Sequence, residues 1–123
     1  MKRKLSIVHL LILVIILSGC SILGSTYKEG VYIGEAFGYQ GSEAPIRISV
    51  AIDANSKIKD IVILDHKETD KIGGKALEDL TLQVLNQDKK IKDLKIDAVS
   101  NATQTSKGFE MALRDALEKA KNK

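Results

Sequence analysis

Pro45 to Asp65, PIRISVAIDANSKIKDIVILD, carries the pattern on which the fold turns. Ile46, Ile48, Val50 and Ile52 fall on one side of a two-residue repeat, with Arg47, Ser49 and Ala51 on the other. That alternation predicts a half-buried strand over Pro45–Asp53. Ile58, Ile61 and Ile63 repeat it more loosely over Lys57–Asp65. The residues between, DANSK, suit a tight hairpin in which Asn55 takes the left-handed backbone. Upstream, Gly30–Tyr39 reads as a third strand interrupted by glycines, so a three-stranded antiparallel meander is expected.

Downstream the period changes. After Gly73-Gly74, the residues Ala76, Leu77, Leu80, Val84 and Leu85 recur at helical spacing, predicting a helix over about Lys75–Asn86. KKIKDLKIDAV (Lys89–Val99) reads as a short charged strand or extended segment. Phe109, Ala112, Leu113, Ala116, Leu117 and Ala120 then form one stripe from about Lys107 to Lys121, a helix with cations near its C-terminal end. The expected fold class is α+β, an antiparallel three- to four-stranded sheet packed by two helices in a single small domain.

The N-terminus carries a separate message. MKRKLSIVHLLILVIILSGC opens with Lys2, Arg3 and Lys4 and continues through an apolar run, Leu10–Leu17. That run is well short of the roughly 20 residues a membrane-spanning helix needs. A basic start, a short apolar core and small residues at the end describe a secretory signal peptide. Leu17-Ser18-Gly19-Cys20 resembles the lipobox of bacterial lipoproteins, whose cysteine is acylated and becomes the first mature residue. Cys20 is the only cysteine, and a thioether-linked lipid accounts for an odd thiol in an exported chain. An uncleaved signal anchor with a free thiol is the alternative. The expected division is a signal peptide at 1–19, lipidated Cys20 with a tether to 26, and one domain at 27–123, anchored to the cell membrane on its extracytoplasmic face. Lys2, Arg3 and Lys4 account for the whole formal charge of +3. The mature chain is therefore neutral, without a basic stripe for nucleic acid.

Between the charged segment and the last helix lies DAVSNATQTS, Asp97–Ser106. Thr105 or Ser106 can cap the helix, which leaves Ser100, Asn101 and Thr103 without a task. Asparagine suits a turn with positive φ, and such a turn presents Thr103 at a helix N-terminus, where free amides and the dipole favour an anion. No base stands near Thr103 in sequence, so its hydroxyl is expected to be an acceptor that another enzyme modifies.

This stretch resembles the flavinylation motif of the FMN-binding domain family, Asp, two variable residues, then Ser/Thr-Gly-Ala-Thr. The family includes the C subunit of the sodium-pumping NADH:quinone oxidoreductase and the G subunit of the Rnf complex. Asp97, Ser100, Ala102 and Thr103 match, Thr105-Ser106 match the usual continuation, and Asn101 replaces the glycine. Tyr27-Lys28-Glu29-Gly30-Val31-Tyr32-Ile33-Gly34 and Gly38-Tyr39-Gln40-Gly41 resemble the family's opening, and His66-Lys67-Glu68-Thr69 its third-strand ending. The resemblance implies FMN attached through a phosphodiester to Thr103, donated from FAD by a flavin transferase. It also implies electron exchange with a membrane redox partner or quinone-linked donor, as a carrier more than as a stand-alone enzyme. The expected cofactor-binding set is Asp97, Ser100, Asn101, Ala102, Thr103 and Thr105, with His66, Glu68 or Thr69 on the flavin or its ribityl chain. No metal site is expected. Reversible FMN binding or sensing, and a flavin-free ligand-binding lipoprotein, are the alternatives. A lone histidine also serves as an ordinary polar strand end, and Tyr32, Phe37 and Tyr39 suit core packing as well as ring stacking. Gly34, Gly38 and Gly41 lack the strand-to-helix context of a phosphate loop.

Overall fold

The computed structural model describes residues 26–39 and 44–121. The expected signal peptide, Cys20 and most of the tether lie outside them. No helix among the described residues is long and apolar enough to cross a membrane.

Three strands, β1 (Gly30–Ala36), β2 (Ile46–Ile52) and β3 (Ile58–Asp65), form an antiparallel meander in the order β1-β2-β3. Ile46, Ile48, Val50 and Ile52 of the central strand are completely buried, as their alternation demands. The looser spacing of β3 has a physical cause. Its register against β2 slips between Ala51 and Ile52 and again between Arg47 and Ile48. The first slip lets Ile58 and Ile61, three residues apart, both join the core, as irregularities of this kind re-aim side chains.

Two helices, α1 (Lys75–Gln87) and α2 (Thr103–Ala120), cover one face. α2 lies over β1 and β2, and α1 over β3. Phe109, Ala112 and Ala116 of α2 are fully buried. The free edge of β1 is bound by α2 side chains: Lys119 donates to the Ile33 carbonyl at 2.6 Å, and Asp115 accepts the Glu35 amide at 3.0 Å. These contacts occupy backbone groups that an open edge would offer to another chain.

Two expectations are corrected and one left open is decided. The hairpin residue with positive φ is Ser56 (59°), not Asn55. Asp53 accepts the amides of Asn55 and Lys57, which places the left-handed residue one position later. Buried Ser56 then accepts the Tyr27 amide through its hydroxyl. Second, β1 ends at Ala36 rather than running to Tyr39, because its partner β2 begins at Ile46. Of the two forms expected for Lys89–Val99, strand or extended segment, the chain takes the extended one, and the sheet keeps three strands. After a short 3₁₀ turn at Ile91–Asp93 the segment passes alongside α1, whose Gln83 and Gln87 each clamp one residue by both amide groups. Gln83 binds the amide and carbonyl of Asp97, and Gln87 those of Lys95. Two glutamines one helical turn apart thus replace a strand ladder.

Candidate functional site

Positive φ at Asn101 (66°) turns the chain sharply into α2, as its residue type predicts. The helix starts earlier than its apolar stripe indicates, at Thr103 rather than near Lys107. Thr105 and Ser106, expected as caps, lie inside the first turn and are buried. The N-cap position falls on Ala102, no side chain caps the helix, and the first turn holds no acid. Such a terminus leaves amides that favour an anion, and Glu68 reaches the same turn only through the Thr105 hydroxyl.

The hydroxyls of the junction have different fates. Thr105 Oγ1 donates to Glu68 Oε1 at 2.8 Å. Ser106 Oγ donates to the Ala102 carbonyl at 2.7 Å and accepts the Val99 amide at 3.0 Å. Thr103 is exposed on the first turn and opens into a groove of about 350 Å³, within the size range of small-molecule sites. Tyr39 and Ile72, both more than half exposed, give the groove its apolar walls. Thr69, Gly73, Asn101, Ala102, Gln104 and Thr105 complete it. None of these side chains is a carboxylate, imidazole or amine. A neighbouring depression of about 260 Å³ shares Ile72 and Asn101 and takes in Ser100.

The wall opposite Thr103 is assembled from distant segments. The chain leaving β3 makes one π-helical turn, Asp70–Gly74, with the Thr69 carbonyl accepting the amides of Ile72 and Gly74. Turns of this kind recur at functional sites; here it projects Ile72 outward. The segment after β1 is held by Glu68, whose Oε1 also accepts the Tyr39 amide at 2.8 Å. Gly38 lies directly on Gly108 of α2, where a Cβ on Gly108 would stand 2.5 Å from the Gly38 Cα.

Of the residues expected at the site, Thr103, Asn101, Ala102, Thr105 and Thr69 share the groove, and Ser100 adjoins it. Asp97 is fixed by its backbone to Gln83. Glu68 is buried behind the wall. His66 accepts the Glu68 amide through Nδ1 and faces a different depression with Asp70, Lys71 and Glu78. The aromatic ambiguity resolves by position: Tyr32 is half-buried, Phe37 is exposed, and Tyr39 lines the groove. Ile72, Gly73 and Gln104 carried no site signal, although an isoleucine beside two glycines is a poor core residue and could have drawn notice.

Asn101 yields a direct test. Asn101→Ala is expected to destabilise the domain by about 1 kcal/mol, because alanine tolerates the left-handed region less well, and Asn101→Gly to leave stability nearly unchanged. Urea melts of both variants check this.

The family model for the FMN-binding domain matches residues 38–118, about two thirds of the chain. The match spans every segment that lines the groove, from Tyr39 to Thr105. No curated protein matches the sequence. The chain therefore belongs to the FMN-binding domain family and is a flavin-binding protein whose cofactor is FMN.

Proposed function

We propose that this protein is a lipid-anchored electron carrier of the extracytoplasmic membrane face, holding FMN covalently at Thr103. The observation that carries the attachment reading is the exposed Thr103 hydroxyl on an uncapped helix terminus, opening into a ligand-sized groove with apolar walls. The residues suit the group: the amides of the first turn face a phosphate, and Tyr39 and Ile72 offer faces for a flat apolar ring. Bound FMN supplies one- and two-electron redox chemistry; the protein supplies attachment and orientation.

Thr103 would accept the flavin nucleotide from FAD. Its Oγ1 forms a bond to the FMN phosphorus, the pyrophosphate bond breaks, AMP leaves with the bonding pair, and the hydroxyl proton passes to a base. Because no base lines the groove among the described residues, that base belongs to the flavin transferase. A phosphodiester keeps the cofactor on a domain outside the cytoplasm, where lost FMN could not be replaced. Anchoring rests on the lipobox at Cys20, which holds the carrier near a membrane redox partner or quinone-linked donor. The left-handed backbone at Asn101 supports covalent attachment over reversible binding, since it keeps the turn that glycine supplies in relatives.

Mass spectrometry of the chain co-expressed with a flavin transferase should find FMN, less one water, on the peptide containing Thr103. An unmodified peptide would count against the reading, and colour lost on denaturing dialysis would favour reversible binding. A second measurement follows from electrostatics. A phosphodiester at the open terminus should stabilise α2 by up to about 1 kcal/mol, raising the melting temperature by a few degrees. The gain should shrink in high salt.

A further inference from the structure

Glu68 is a carboxylate only 5 % exposed, a placement that is costly unless donors meet the charge. Two donors converge on its Oε1, each at 2.8 Å: the Tyr39 amide and the Thr105 hydroxyl. They come from 29 residues before and 37 residues after it in the chain. One oxygen thus joins three segments near Thr103: the stretch after β1, the link from β3 into the π-helical turn, and the first turn of α2. The packing around it leaves no slack. A Cβ on Gly73 would stand 2.6 Å from the Glu68 Cβ and 2.9 Å from Thr105 Oγ1.

We infer that Glu68 is the positioning residue of the flavin groove: it fixes the Tyr39 wall at a set distance from Thr103 and keeps the Thr105 hydroxyl out of competition for the nucleotide. The inference rests on reading this groove as the FMN site. Glu68 sits behind the wall and acts through Tyr39 and Thr105. A carboxyl group suits the task because a single oxygen accepts from both donors at once. It also aims Thr105 Oγ1 inward as a donor. Two residues away, Thr103 is left facing out, which makes the choice of acceptor a matter of tertiary bonding.

Glu68→Met keeps the volume and removes the acceptor; Glu68→Gln keeps a carbonyl oxygen in place; Thr105→Val removes one donor. In the apo full-length chain, Tyr39 amide exchange should accelerate about tenfold or more in Glu68→Met, and only severalfold in Glu68→Gln. With flavin attached by co-expression, Glu68→Met should lower the fluorescence anisotropy of the flavin and move its midpoint potential toward that of free FMN. Some adduct should appear on Thr105. Glu68→Gln should restore wild-type anisotropy and single-site labelling. Thr105→Val, the mildest change, should loosen Tyr39 without unfolding the domain. Wild-type exchange in both Glu68→Met and Thr105→Val would overturn the inference. So would faster exchange with unchanged anisotropy, potential and labelling, which would reduce Glu68 to a fold-holding role. A wild-type chain that never carries flavin would sink the attachment reading alone, and Tyr39 exchange would still decide whether Glu68 holds the wall.

Discussion

If FMN is held at Thr103 as proposed, Thr103→Val is expected to carry no covalent flavin, while the domain keeps its stability to within about 0.5 kcal/mol. Valine matches threonine in shape and removes only the oxygen. The residue is exposed and is not the helix cap, which is Ala102, so no structural hydrogen bond is lost with it. No neighbouring hydroxyl should take over. Thr105 is 5 % and Ser106 3 % exposed, and both hydroxyls are engaged as donors. Ser100 is exposed but lies in the adjoining depression, ahead of the Asn101 turn. Thr103→Ser, which returns an oxygen at the same point, should be labelled. Intact-mass measurement and peptide mapping of the three chains decide the matter. A flavin adduct on Thr103→Val at wild-type level would remove Thr103 from the site.

Gly108→Ala is expected to destabilise the domain by about 1–3 kcal/mol, the range for overpacking a filled interior. This reverses the usual sign, since alanine in a helix interior is better than glycine by about 0.5–1 kcal/mol. The reversal comes from what the methyl meets. Gly38 Cα at 2.5 Å and Gly38 N at 2.9 Å are backbone atoms that cannot swing aside. The stretch bearing Tyr39 must lift off α2, so the variant should also bind FMN less tightly. Gly74→Ala is the matched control. Its φ is −59° and its new Cβ would meet nothing closer than 3.5 Å, so a gain of about 0.5 kcal/mol is expected. Urea melts of the pair, run with FMN titrations, test both signs. Equal stabilisation of the two would mean that Gly38 does not press on α2.

The two glycines also mark where local reading stopped. Gly38 stood out only as one of the glycines interrupting the first strand and Gly108 carried no signal, yet together they form one close approach between segments 70 residues apart. Polarity misled in a similar way at the helix start. Thr105, Ser106 and Gly108 are weak helix formers, and α2 nevertheless begins at Thr103 because Glu68, Val99 and Gly38 engage them. Gln83 and Gln87 gave no hint that they would stand in for a strand.

What the sequence determined by itself were the features that depend on one repeat at a time. The isoleucines of β2 and the stripe from Phe109 to Ala120 specify which face is buried whatever lies opposite. The left-handed turn at Asn101 and the hydroxyl two residues after it are likewise local. Tertiary structure alone decided which polar groups stay free. A hydroxyl's availability depends on whether a distant acceptor claims it, and periodicity records the burial of a face without naming the partner across it. Thr105 is claimed by Glu68, 37 residues away, and Thr103 is left at the groove.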